Sequence, residues 1–197
     1  MTYAIIGSGA IGSALATQFA RNDIDVLVAN SRGPASLTDF VGRLGKNIKA
    51  ASVEEALKAD IVILAVPFGS VPETVGDAAA WNGRIVVDAS NAIDFPAFTP
   101  KDLGGRLSTD VVADLVPGAR VVKAFNTLPA AVLASDPAKD GGRRVVFLSG
   151  NDVAANADVA ALIKRLGFAA IELGKLGDGR LAQFGGPLMV QNLIKHA

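Results

Sequence analysis

Short apolar runs alternate with stretches of helical periodicity along the whole chain. Tyr3 to Ile6 is the first run, long enough for a buried strand. Ile11, Ala14, Leu15 and Phe19 then recur at the spacing of one helix face. A second strand is expected over Asp25–Ala29, a helix over about Ala35–Leu44 closed by Gly45, and a short strand over Ile48–Ala51. Ser52-Val53-Glu54-Glu55 reads as a capping box, opening a helix to about Ala59. Ile61 to Val66 is a continuous β-branched and apolar run, as expected of a central strand buried on both faces. Pro67 ends it. Ser70-Val71-Pro72-Glu73 reads as a second capping box, with a helix to about Ala80.

Arg84–Asp88 gives the next strand, and Phe95–Gly105 reads as a loop without a strong helix signal. Ser108 or Thr109 is placed to cap a helix ending at Leu115. Val121 and Val122 begin another strand, and Pro129–Leu133 suits a turn of helix. Ser135–Arg143 is polar loop, and Arg144–Ser149 a further strand. Asn151 or Asp152 caps a helix to Leu166, with Gly167 beyond it. Ala169–Leu173 is expected as an edge strand. The tail from about Gly179 to His196 is helix-compatible, with Gly185-Gly186-Pro187 set to break or kink it. The alternation predicts a doubly wound, mostly parallel α/β sheet forming one domain over residues 1–197, with a small helical extension from about residue 174.

The first strand, its turn and the helix after it enclose Gly7, Gly9 and Gly12, a G-x-G-x-x-G in the context that a dinucleotide fingerprint requires. The first glycine permits a tight turn, the second lets backbone approach a pyrophosphate, and the third allows close helix–strand packing. Ser8, Ala10 and Ile11 complete the loop, whose N–H groups face the anion. The second strand ends in Asn30-Ser31-Arg32, where an NAD site places a carboxylate for the ribose 2′-hydroxyl. Here a hydroxyl and a guanidinium stand instead, which suits the 2′-phosphate of NADP.

Composition narrows the picture further. Nineteen basic residues balance nineteen acidic ones, and no basic patch points to nucleic acid. Without cysteine there is no thiol nucleophile and no cysteine-ligated metal. The longest apolar stretch, Ile61–Pro72, is too short for a bilayer span, so a cytoplasmic protein is expected. His196, the only histidine, reads as a solvated tail residue, and no metal site is expected. No Tyr-x-x-x-Lys pair and no G-x-S-x-G elbow is present. Lys123 and Asp88 are candidate acid–base groups, or else an ion-paired or surface-reaching residue and a turn cap. Asn126 and Thr127 are candidate contacts to a carboxamide or second ligand, or else a backbone-capping turn. A nicotinamide site without a clear proton donor suits hydride transfer between stacked rings better than carbonyl reduction.

Several stretches resemble the coenzyme F-420-dependent NADP oxidoreductases: Ile5–Gly12, Asn30-Ser31-Arg32, Ala65-Val66-Pro67, Val121–Ala130, Leu148–Asp152 and Gly179-Arg180-Leu181. The same domain type is similar to the cytoplasmic part of six-helix transmembrane ferric reductases. The resemblance implies NADP(H) over Gly7–Gly12, with Ser31 and Arg32 at its 2′-phosphate. It places Ala65, Val66, Pro67, Ser70, Asn91 and Ala130 near the ribose, phosphate and nicotinamide. Asn126, Thr127 and the Gly185–Leu188 region would border a small-molecule redox acceptor, F-420 (a deazaflavin) or a flavin such as FMN or FAD. A homodimer is implied. Ser36 stands where some members have a lysine, and Asn126 where archaeal members have a histidine. Alternative functions are a small carbonyl or imine reductase with a dimer-built site, and a non-catalytic NADPH-binding sensor.

Overall fold

The computed structural model of the chain describes residues 1–76 and 78–196. Eight strands form the body of one sheet: β1 (Tyr3–Ile6), β2 (Val26–Ala29), β3 (Ile48–Ala50), β4 (Ile61–Leu64), β5 (Ile85–Asp88), β8 (Arg120–Ala124), β10 (Gly142–Gly150) and β11 (Ala169–Glu172). Their order is β11-β10-β8-β5-β4-β1-β2-β3. From β3 to β8 all neighbours are parallel, while β10 runs antiparallel to β8 and parallel to β11. The strand order reverses between β1 and β4, as in the Rossmann fold, which puts a ligand crevice at the carboxyl ends of those strands.

Helices cover both faces: α1 (Ala10–Arg21), α2 (Thr38–Leu44), α3 (Val53–Ala56), α4 (Val71–Val75), α5 (Ser108–Leu115), α6 (Ala130–Ala134) and α7 (Val153–Arg165). Alternate residues of each strand serve opposite cores. Ile5, Ile61, Ile63, Ile85 and Val87 pack with Phe19, Leu133 and Ile163, under α1, α6 and α7. Ala4, Ile6, Val62, Leu64 and Val86 pack with Leu57, Val71, Val75, Trp81 and Val112 on the other face. This two-sided burial explains why β4 and β5 read as unbroken apolar runs.

The capping box at Ser52 is formed as expected, its Oγ accepting from Glu55 N and Glu55 accepting from Ser52 N. Asp152 caps α7 by accepting from Ala155 N at 2.7 Å. The expected box at Ser70 is not formed. Residues Phe68–Ser70 already make a 3-10 turn, so Ser70 enters α4 in a helical conformation and caps nothing. That helix ends at Val75 rather than near Ala80: Gly76 weakens it, and the chain must turn Trp81 into the core. The segment expected as one helix from Ala35 splits into a 3-10 turn, Pro34–Leu37, and α2. Ser108 is the first helical residue of α5 and spends its hydroxyl elsewhere.

The loop after β5 holds a small hairpin, β6 (Ile93–Asp94) with β7 (Thr99–Pro100). β10 begins two residues before the expected Arg144, at Gly142. Its first residues pair with β9 (Ala138–Lys139) and with β12 (Ile194–Lys195). Among the described residues the C-terminal extension holds no α-helix. A 3-10 turn spans Asp178–Ala182, after which Gly185 at φ +85° and Pro187 turn the chain into an irregular strap ending in β12.

Candidate active site

The cleft is built from the first glycine outward. Gly7 leaves β1 at φ +110°, and a Cβ there would stand 2.3 Å from Ala65 O. A Cβ on Gly12 would stand 1.8 Å from Gly7 O, so α1 seats against the loop only because both positions are glycine. Gly9 differs. It is the N-cap of α1, no side chain caps that end, and a Cβ on it would meet nothing within 4 Å. The glycine is therefore not required by packing. An uncapped helix start beneath open space is a cradle for an anion.

Asn30 ties this loop to the end of β2. Its Nδ2 donates to Ser8 Oγ at 3.0 Å, while its Oδ1 accepts from Arg32 N at 2.9 Å and Ser36 Oγ at 3.1 Å. Ser36, at the position of the missing lysine, thus braces the turn. Ser31, Arg32 and Asn30 line a cleft of about 830 Å³ together with Ile6–Gly9, Ala65-Val66-Pro67 and Ser70. The Arg32 guanidinium makes no ion pair among the described residues. These features fit NADP(H): a bare glycine for the pyrophosphate, and a free guanidinium without a competing carboxylate at the 2′-position.

The cleft continues between α3 and α4, along Val53, Glu54, Leu57, Lys58, Glu73 and Thr74, to Arg84. Sequence reading missed this wall. Its only local signal was the capping box that fixes the start of α3. Glu54 is paired with Lys58 at 2.8 Å. Arg84 stacks on Trp81 with 4.8 Å to the ring centre, and donates to Leu57 O and to Trp81 O.

Other expected residues are not part of this lining. Ala10, Ile11 and Gly12 form the first turn of α1 behind the loop, and Ala130 opens α6. Asn91 and Asn126 bond each other: Asn91 Nδ2 donates to Asn126 O at 2.9 Å, and Asn126 Nδ2 to Asn91 Oδ1 at 3.1 Å. Asn126 Nδ2 also donates to Ala182 O at 2.7 Å, and Thr127 O accepts from Val190 N at 2.8 Å. Both side chains are buried. They fasten the C-terminal strap across the ends of β5 and β8. Gln183 adds a third tie, accepting from Ser108 Oγ at 2.6 Å. Beside the strap, Phe95 and Phe98 of the hairpin and Phe184 stack edge to face and stand partly in solvent.

Asp88 and Lys123 are register partners on β5 and β8 and form a buried ion pair at 2.9 Å. Asp88 Oδ1 also accepts from Ser90 N and Oγ, and Lys123 donates to Ser90 O at 2.5 Å. The ion-paired and turn-capping alternatives are therefore the ones realised.

Residues 2–92 match the family described as NADP oxidoreductase, coenzyme F420-dependent. Over that N-terminal stretch the chain is similar to that family. A hypothetical protein from Sinorhizobium meliloti is 60% identical with a TM-score of 0.97, covering 99% of this chain and 96% of that one. A candidate F420-dependent NADP-reductase from Arthrobacter sp. FB24 is 29% identical with a TM-score of 0.78, covering 92% and 88%. Metalloreductase STEAP3 of Rattus norvegicus is 28% identical over 177 residues, which is 89% of this chain and 34% of that protein. The chain spans about a third of the length of the curated relatives it matches. No helix among the described residues is long and apolar enough to cross a membrane. No cluster of His, Cys, Asp or Glu among them is placed to hold a metal.

Proposed function

We propose that this oxidoreductase moves a hydride between NADP(H) and a flat redox ring, a deazaflavin such as F-420 or a flavin such as FMN or FAD. It works as a cytoplasmic homodimer. One observation carries the reading. The segments that end β4, β5 and β8 (Ala65–Phe68, Asp88–Asn91 and Lys123–Thr127) hold only two charged side chains, and these are locked to each other. Reduction of a carbonyl needs a positioned proton donor, whereas hydride exchange between rings needs orientation and exclusion of water.

NADPH supplies the hydride when bound. The residues supply the grip. Gly7, Ser8 and Gly9 present backbone to the pyrophosphate, with α1 opening at Ala10 and Ile11. Ser31 and Arg32 hold the 2′-phosphate. Val66 and Pro67 wall the middle of the cleft. Asn91, Asn126, Thr127 and Ala130 hold up the nicotinamide end through backbone placement. The Arthrobacter relative's name supports F-420 as acceptor, and the STEAP relatives' name, metalloreductase, adds a metal ion as a candidate.

Stopped-flow NADPH oxidation with F-420, FMN, FAD, riboflavin and ferric chelate in parallel tests this. Saturable oxidation by one ring acceptor is the expected result. Tight NADPH binding without oxidation by any of them overturns it in favour of a sensor or of carbonyl or imine chemistry.

A further inference from the structure

The buried Asp88–Lys123 pair takes no part in the chemistry proposed above, yet it sits at the ends of the two strands that carry the nicotinamide side of the cleft. Side-chain exposures of 0% and 2% put both charges out of water. A buried pair of this kind is weak support for stability, because well-packed neutral residues of similar size do as well or better. Something other than stability must then account for it.

Its connections supply the account. From Lys123 the bonds run to Asp88 and to Ser90 O. Ser90 precedes Asn91, which is paired with Asn126, and Asn126 in turn holds Ala182 of the strap. Between Lys123 and Asn126 lies Phe125, a buried, bulky residue at φ +63°. That left-handed conformation is strained for phenylalanine and persists only where the surroundings over-determine it. Lys123 and Asn126, on either side of it, are both pinned.

We propose that Lys123 is a positioning residue, whose buried bridge between Asp88 and the Ser90 carbonyl locks the turns after β5 and β8, and with them the strap, at the spacing the nicotinamide needs. This rests on the reading of the cleft as an NADP(H) site. Ring-to-ring transfer depends on reacting atoms being held within about 3–3.5 Å. A loosened floor therefore lowers the rate while leaving the distant pyrophosphate and 2′-phosphate grips intact.

Two neutral pairs separate positioning from folding. Asp88→Asn with Lys123→Met removes both charges and the bridge. Asp88→Asn with Lys123→Gln restores a donor toward Ser90 O. Four quantities are measured on each: thermal midpoint, NADPH Kd, nicotinamide fluorescence lifetime in the binary complex, and single-turnover rate with an acceptor that wild type uses. The methionine pair should keep its midpoint and bind NADPH within about threefold of wild type. Its lifetime should shift toward that of free NADPH, and its rate should fall at least tenfold. The glutamine pair should recover most of both. Equal behaviour of the two pairs overturns the proposal, as does a rate loss that follows the thermal midpoint, or failure of both to fold. Wild type turning over no acceptor removes the proposed function instead, and the lifetimes then decide the role of Lys123 alone.

Discussion

Replacing Gly9 by alanine should separate folding from cofactor binding. The added Cβ meets no protein atom within 4 Å, and Gly9 sits at φ −73° and ψ −165°, which alanine adopts without strain. Less freedom in the unfolded chain contributes about 0.4–1 kcal/mol, and alanine's poorer fit at an N-cap costs about as much, so the apo protein should melt close to wild type. The same methyl projects where the pyrophosphate must lie. Moving the anion outward by one C–C bond, about 1.5 Å, takes N–H contacts of about 2.8 Å beyond hydrogen-bonding range. Two charge-assisted bonds at about 1.5–3 kcal/mol each make roughly a hundred- to ten-thousand-fold loss in NADPH affinity. Gly12→Ala is the control. Its Cβ would lie 1.8 Å from Gly7 O, so backbone must move and the apo protein should melt well below wild type. Fluorescence titration with NADPH and thermal melts of the apo proteins read both. If Gly9→Ala binds NADPH within threefold of wild type, the pyrophosphate does not lie over Gly9 and the assignment of the loop is wrong.

Arg32→Ala should weaken NADPH binding by about 10- to 150-fold, from a charge-assisted contact of about 1.5–3 kcal/mol, and leave NADH affinity nearly unchanged. Equal losses for both would refute the 2′-phosphate role. Asn126→Ala should cost about 1–3 kcal/mol by leaving Ala182 O without its donor and open the strap to limited proteolysis between residues 178 and 190; an unaltered digest would count against the fastening. Acid should unfold the protein through defined carboxylates. Asp60 is held below the usual carboxylate range chiefly by the Thr2 amide, Asp152 by the Ala155 amide and Glu55 by the Ser52 amide. A lowered folded pKa adds stability above the unfolded value, and that stability drains as the pH falls through the folded one. Urea midpoints should therefore be level above about pH 5 and decline below about pH 4, with a shallower decline in Asp60→Asn. An equal decline in that variant would exclude Asp60 as a contributor.

The parts of the fold that were legible in sequence are those decided locally. The apolar run Ile61–Val66, the Ser52–Glu55 box and the Asp152 cap depend on residues within one turn or one strand; box and cap stand where their patterns placed them, and the run forms β4 over its first four residues. Ser70-Val71-Pro72-Glu73 carries the letters of a capping box as well. The preceding Phe68–Ser70 turn decides its backbone, and a four-residue pattern does not contain that turn. The β6–β7 hairpin was hidden by its brevity and by Pro100, which a ladder tolerates only at an edge. Site residues divide in the same way. Gly7, Gly9, Gly12 and Arg32 are defined by their own turns. Asn126 stayed open between a ligand contact and a cap because its partner Ala182 lies 56 residues away. The α3–α4 wall arises where two separate crossovers meet, which no local spacing encodes.

Asn30 makes the two grips on the cofactor a single object. The usual route to NADH preference would place a carboxylate at this strand end. Aspartate at residue 30 could still accept from Arg32 N and Ser36 Oγ, but it has no proton for Ser8 Oγ. Ser8 would have to turn its own hydrogen toward the new carboxylate and away from the phosphate loop. A specificity swap made here would thus carry a second, unwanted change in the pyrophosphate grip. Redesign toward NADH is better begun at Ser31 and Arg32, with the Asn30 amide left in place as the joint between the two halves.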